Sequence, residues 1–148
     1  MRAKRWPIQL RLAVVATACI GCSLAHQHLV GDSIWSIPPS NEFYSNWASN
    51  RSFAVGDDLV FRFELGFYDV VQVSRREFDS CSADNAFRSF LVGPATVSLN
   101  EEGVFYFICS FGNYCLLGQK LSVTVQRLLP PPTGASPSST PPASPHLK

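Results

Sequence analysis

Histidine is scarce in this sequence, and its placement limits the chemistry that the chain can perform. The three histidines, His26, His28 and His146, all lie near the ends of the chain. A Ser/His/Asp set or a Cys/His dyad needs an imidazole inside the domain, and a phosphate loop needs a glycine-rich motif that is absent here. These absences argue against an enzyme. The pair Asp57-Asp58 is interpreted as a solvated turn, and residues 26–28 as a flexible terminus.

Basic side chains are few and dispersed, which argues against a nucleic-acid partner. The chain carries 12 Lys and Arg against 11 Asp and Glu. Four of the 12 lie within residues 1–25, where no acidic residue occurs, so a chain that begins at His26 has a net charge of −3. Nucleic-acid binding depends on clustered Lys and Arg. In a chain that begins at His26, Arg75-Arg76 is the only basic doublet, and a solvated strand end explains it.

The N-terminus lacks an apolar run long enough to span a bilayer, since only residues 12–20 are apolar. Basic residues precede this run, and the small-residue sequence Ser23-Leu24-Ala25 follows it. This order predicts a secretory signal peptide at residues 1–25, cut after Ala25, and an extracellular location. A bacterial lipoprotein acylated at Cys22 fits less well, because Cys19 stands three residues earlier.

Residues 128–148 contain little that could fill a core. Proline, serine and threonine dominate, which predicts a disordered Pro/Ser-rich tail carrying O-linked glycans. No hydrophobic stretch follows, so a glycolipid anchor signal is not expected. One N-glycosylation sequon, Asn50-Arg51-Ser52, predicts a glycan on a turn that faces solvent.

Residues 26–127 show the alternation that is typical of an all-β domain. Leu59, Phe61, Phe63 and Leu65 form one apolar face with a period of two. Further strands are predicted near residues 29–32, 70–73, 95–99, 104–109 and 120–125, each bounded by Gly, Pro or Asp turns. Short helical segments are predicted within 41–50 and 74–80. This pattern favours a β-sandwich or barrel over a parallel sheet.

Cysteine is sparse once residues 1–25 are removed, and only Cys81, Cys109 and Cys115 remain. Secretion permits a disulfide, and three cysteines allow one bond and one thiol, but spacing alone leaves the pairing open. Cys109 also begins a regular pattern in which Tyr114 and Gln119 follow at five-residue intervals. A copper site between two strands uses a cysteine, histidines and a weak axial ligand.

Residues 29–125 resemble the phytocyanin domain, the plant branch of the cupredoxins. The matching segments appear in the family's order: VGDSIWSIPPS, FAVGDDLVFRF, VVQVSRREFDSC, GPATVSLNEEGVFYFICS and CLLGQKLSVTV. The resemblance implies a cupredoxin-like Greek-key β-sandwich of seven or eight strands with one or two short helices. It also implies a disulfide between Cys81 and Cys115.

The same resemblance places the four copper-ligand positions at Tyr68, Cys109, Tyr114 and Gln119. Two of these are tyrosines, and a neutral phenol, with a pKa near 10, is a poor copper ligand. The departure resembles the early nodulin-like subgroup, which lacks the copper-binding histidines. We therefore expect no metal and no other cofactor; the alternative is a copper-dependent electron transfer protein of the blue-copper type.

These observations predict a non-enzymatic protein that binds a carbohydrate or protein partner at the cell wall or the outer face of the plasma membrane. The loops after Leu65 and after Cys109 are expected to bring Phe67, Tyr68, Phe111 and Tyr114 together as the partner surface. Two alternatives stay open. The tyrosines could instead fill a cavity left by imidazoles and metal. Cys109 could be a relic ligand or a reactive thiol, but a buried cysteine that acts as a small apolar side chain is the preferred interpretation.

Overall fold

The computed structural model describes residues 25–128, which form two β-sheets around one main core. The strands are β1 (Gln27–Ile34), β2 (Phe53–Ala54), β3 (Asp58–Arg62), β4 (Val70–Val73), β5 (Arg88–Phe90), β6 (Ala95–Ser98), β7 (Gly103–Ile108) and β8 (Lys120–Gln126). The helices are α1 (Phe43–Ser49) and α2 (Arg75–Ser80). Almost all of the predicted signal peptide and tail lies outside the described residues.

The two sheets confirm the predicted β-sandwich. One sheet has the strand order β1-β3-β6, and the other has the order β2-β8-β7-β4-β5. Two pairs, β1 with β3 and β2 with β8, are parallel, whereas the remaining pairs are antiparallel. Among the described residues, no helix is both long enough and apolar enough to cross a membrane.

The alternation in β3 correctly predicts which side chains enter the core, except at its end. Leu59, Phe61 and Phe63 are buried. Leu65 was expected on the same face but is 66% exposed. The reason is that β3 ends at Arg62 and the chain then turns, with the backbone N–H of Phe67 donating to the carbonyl of Glu64 at 3.3 Å.

The predictions for the N-terminus and for Asp57 are wrong. His28 lies within β1 rather than in a flexible terminus, and its ring is buried. Asp57 is buried too, instead of solvated. Each residue is paired with the other, since Nε2 of His28 lies 3.0 Å from Oδ2 of Asp57.

Helix α2 is fixed at both ends. Ser74 caps its start, because the Ser74 hydroxyl accepts from the backbone N–H of Glu77 at 3.3 Å and the Glu77 carboxylate accepts from the N–H of Ser74 at 3.1 Å. At the other end Cys81 forms a disulfide with Cys115, with a Cα–Cα distance of 5.7 Å. The structure thus confirms the pairing that the resemblance implied, and leaves Cys109 as a buried thiol.

Candidate functional site at the end of the five-stranded sheet

Strand register places three loops at one end of the sandwich. Val70, at the start of β4, pairs with Phe90 at the end of β5, and Val71 pairs with Ile108 at the end of β7. Ile108 in turn pairs with Lys120, at the start of β8. The loops 63–69, 91–94 and 109–119 therefore all leave the sheet at this end, and the candidate ligand positions lie on two of them.

Tyr68 and Tyr114 contact each other across these loops. Their ring centroids are 5.9 Å apart and the rings are inclined by 52°. Both side chains are partly buried and pack against the main core cluster. The two positions that the resemblance assigns to copper-binding histidines are thus occupied by a packed pair of phenol rings.

Cys109 lies at the same end, at the C-terminus of β7, and is 1% exposed. Burial raises the pKa of its thiol to about 11, and the nearby Asp69 carboxylate contributes to the increase. Hydrogen bonds from the backbone N–H groups of Asp69 and Phe111 act in the opposite direction but do not cancel it. The raised pKa keeps the free thiol protonated at neutral pH, which makes it a poor nucleophile, although a bound metal would displace this proton.

Gln119 is completely buried beside the tyrosine pair. Its backbone is well bonded, because its N–H donates to the carbonyl of Tyr114 and its carbonyl accepts from the N–H of Cys109, each at 3.0 Å. Its side-chain amide is not, since neither Nε2 nor Oε1 has a hydrogen-bond partner within residues 25–128. A buried unpaired polar group destabilises a fold by about 1–3 kcal/mol.

Asp69 is a part of this site that the sequence did not reveal. Its side chain is buried and accepts hydrogen bonds from the N–H of Ser110 at 2.7 Å and from the Ser110 hydroxyl at 2.5 Å. Its carbonyl accepts from Nε1 of Trp35 at 2.9 Å. The only available signal was a lone acidic residue directly before the apolar run of β4.

The loop 109–119 is held closely against the segment before α1. Gly118 has a φ of +98°, and a Cβ atom at this position would lie 2.8 Å from Cα of Asn41 and 3.1 Å from Cγ of Pro38. A side chain would therefore require both a strained backbone and displacement of the neighbouring segment. This close approach fixes the start of β8, and with it the position of Gln119.

The donor set at this end does not fit copper. A blue-copper site needs a thiolate, imidazoles and a weak axial ligand. Here the rings of Tyr68 and Tyr114 occupy the positions where the resemblance places the imidazoles. Over the described range 25–128, no group of three or more His, Cys, Asp or Glu side chains is arranged to hold a metal ion.

The exposed side chains at this end are mainly aliphatic, whereas the sequence predicted an aromatic partner surface. Of the four aromatic residues, only Phe67 is largely exposed, at 62%; Tyr68, Phe111 and Tyr114 are partly buried against the core. The sequence missed the exposed aliphatic side chains on the same three loops, which are Leu65, Leu91, Val92, Leu116 and Leu117. Residues 110–119 carry no charged side chain. We call Phe67 and these five aliphatic residues the apolar end.

Asn50 of the glycosylation sequon is exposed, as the prediction of a solvent-facing turn requires. It follows the last turn of α1, and its Nδ2 donates to the carbonyl of Asn46 at 2.9 Å. An N-linked sugar would replace one hydrogen on Nδ2 and leave the other for this bond. Glycosylation itself stays a prediction.

Comparison with known proteins identifies a matching family model, described as a plastocyanin-like domain, over residues 35–119. Cucumber peeling cupredoxin from Cucumis sativus is 38% identical over 114 residues, a match that covers 72% of this chain and 83% of the relative. Among solved structures, cucumber stellacyanin with Cu²⁺ superposes with a TM-score of 0.65 at 37% identity, covering 72% of this chain and all of that one.

Two Arabidopsis thaliana relatives are longer than the matched region. A blue copper protein is 42% identical over 102 residues, covering 68% of this chain and 52% of the relative. Early nodulin-like protein 14 is 39% identical over 92 residues, covering 62% of this chain and 50% of the relative. The chain therefore spans about half the length of these two proteins.

Proposed function

The chain belongs to the phytocyanin family and has its cupredoxin-like Greek-key fold, and we propose that it is an early nodulin-like member that binds a partner rather than copper. In this proposal the protein is non-enzymatic, is secreted, and acts at the cell wall or the outer face of the plasma membrane. In this proposal, the partner binds to the apolar end.

The observation that carries this proposal is the contact between Tyr68 and Tyr114. Their rings, 5.9 Å apart, pack against the core at the two positions where a copper-binding relative needs imidazoles. Phenol rings supply no neutral nitrogen ligand, so the Cys109 thiol at the same end lacks the imidazoles that would complete a copper site. In this proposal, the loops keep the arrangement of a copper site but lack its histidine ligands.

The composition of the apolar end favours a protein partner. Five of its six side chains are aliphatic, and two of them lie on loop 110–119, which carries no charged side chain. Exposed apolar side chains on loops at one end of a domain are typical of protein interaction sites. A carbohydrate site would instead combine aromatic rings with several polar groups, and Phe67 is the only largely exposed ring on these loops. A cell-surface protein is therefore our first choice, and a wall polysaccharide is the alternative occupant.

Partner capture from cell-wall and membrane extracts tests this surface. Phe67→Ala should reduce capture at least several-fold, because aromatic anchors dominate binding hot spots. Phe87→Ala is the matched control: Phe87 is 65% exposed, against 62% for Phe67, and precedes β5 at the other end of that strand. Both variants should melt as the wild type does. Equal capture by the two variants would show that the apolar end is not the binding surface. Binding to purified wall polysaccharide would favour the carbohydrate alternative.

Copper-dependent electron transfer is the second candidate, and one observation favours it. Cys109 and Gln119 stand at the cysteine and axial positions, and the buried amide of Gln119 has no partner among the described residues. Copper titration followed by visible absorption decides between the two candidates.

A further inference from the structure

Asp57 is a buried carboxylate directly before β3, at the opposite end of that strand from loop 63–69. It accepts hydrogen bonds from the backbone N–H groups of His26 at 3.0 Å and Ala54 at 2.9 Å, and Nε2 of His28 lies 3.0 Å from it. Burial raises its pKa, but the bonds from His28, Ala54 and His26 outweigh burial, so the pKa lies below its ordinary value. A buried ionised carboxylate needs such donors and, preferably, a positive partner.

His26 is the first residue that is fixed to this site. Its nitrogen donates to Oδ1 of Asp57, and its carbonyl accepts from the N–H of Asp58 at 2.9 Å. Strand β1 begins at the next residue. Ala25 is exposed and takes part in none of the hydrogen bonds seen in the described part of the chain. Within the described residues, hydrogen bonding therefore begins at His26, the first residue after the predicted cleavage site.

We propose that Asp57 is the receptor for a new amino terminus, created when a secretory peptidase that cuts after small side chains hydrolyses the bond between Ala25 and His26. Hydrolysis consumes one water molecule: Ala25 leaves as a carboxylate, and the nitrogen of His26 becomes a primary amine that takes up a proton. That nitrogen already lies 3.0 Å from Oδ1. Cleavage thus converts an amide–carboxylate hydrogen bond into an ion pair with no movement of β1.

This conversion places a positive charge directly beside Oδ1 of Asp57, where the uncleaved bond has an uncharged amide N–H. Charge-assisted hydrogen bonds are about twice as strong as neutral ones, and burial protects them from screening by salt. The mature protein should therefore be more stable than its precursor, so that processing completes the fold as well as releasing the leader.

One other group could supply the positive charge, the imidazole of His28. Its ring packs between those of His26 and Phe53, at centroid distances of 4.6 and 4.7 Å. The carboxylate of the neighbouring Asp58 accepts a hydrogen bond from the Ser98 hydroxyl at 2.7 Å. Asp58 contacts His26 through its backbone N–H and not through its side chain. If His28 alone balanced Asp57, the chemical state of the amino terminus would not affect stability.

A double-mutant cycle separates these possibilities. Two forms of the domain are compared, one that begins at His26 and one that carries Gly-Ser-Gly before Ala25, which keeps the amide N–H but moves the amine away. The His26 form should melt at a temperature roughly 4–8 °C higher, which is the shift expected when one hydrogen bond becomes charge-assisted in a domain of about 100 residues. Asp57→Asn should abolish the difference. Asp58→Asn, the same change one residue later, should preserve it.

Two further measurements keep the proposal testable if Asp57→Asn does not fold. Mass spectrometry of the secreted protein should find His26 as its first residue. In the folded His26 form, acylation of the terminal amine at neutral pH should be at least tenfold slower than in urea. Equal melting of the two wild-type forms, a difference that survives Asp57→Asn, a different first residue, or an amine equally reactive in the folded and unfolded chain would each overturn the proposal.

Discussion

The carboxylate of Asp69 accepts two hydrogen bonds from Ser110, one from the backbone N–H at 2.7 Å and one from the hydroxyl at 2.5 Å. Asp69 directly follows Tyr68, and Ser110 directly follows Cys109. The pair therefore joins the two loops that carry the candidate ligand positions. This connection needs no metal, so it would hold the two loops in place without copper.

Removing the Asp69 carboxylate should loosen both loops. We expect Asp69→Ala to lower the free energy of unfolding by about 2–4 kcal/mol, because two bonds to a charged group are lost and the Ser110 donors are left without their acceptor. Asp69→Asn retains one acceptor oxygen and should lower the free energy of unfolding by a smaller amount. Urea denaturation gives both values. A loss below about 0.5 kcal/mol for Asp69→Ala would show that the loops are held by other contacts.

If the protein binds no metal, the buried amide of Gln119 should lower its free energy of unfolding. Gln119→Met has nearly the same length and removes two buried, unpartnered polar atoms, so it should raise the free energy of unfolding by about 1 kcal/mol. Gln126→Met, at an exposed position in β8, is the control and should change little. Destabilisation by Gln119→Met would mean that the amide has a partner, such as a bound water or a metal.

Stability should fall at alkaline pH because of Cys109. Its pKa is raised from 9.0 to about 11 in the folded protein, so its contribution is fully present below pH 9 and is lost between pH 9 and 11, where only the unfolded chain releases the proton. Burial also raises the pKa of Tyr44 to about 12, which extends the decline above pH 10. Urea denaturation at several pH values should show a shallower decline for Cys109→Ala than for the wild type. Parallel declines would contradict the raised thiol pKa.

Local patterns predicted the central strands well because alternating side chains face a single core. Leu59 and Phe61 are buried as expected, whereas Leu65 is exposed because the strand ends first, and a period of two does not show where a strand ends. Strand β5, Arg88–Phe90, escaped prediction altogether. It is a short edge strand with two exposed residues, so it has no apolar alternation to detect.

The polar parts of the fold were harder to predict than the apolar parts. Asp57 and Asp69 look like ordinary turn or loop carboxylates in the sequence, yet both are buried, and their partners His26 and Ser110 lie 31 and 41 residues away. Such pairs depend on tertiary contacts between distant segments. The disulfide was predictable only through the family resemblance, since the residues themselves left three pairings open.

Copper titration of the domain that begins at His26, monitored by visible absorption, tests the central claim most directly. A Cu–thiolate bond in a site of this family gives an intense visible band, and cucumber stellacyanin provides the positive control. We expect no such band and no stoichiometric copper in the wild type, and a gain of both in the double variant Tyr68→His/Tyr114→His, where Cys109 and Gln119 already stand. A blue adduct with one copper per wild-type chain would contradict the account.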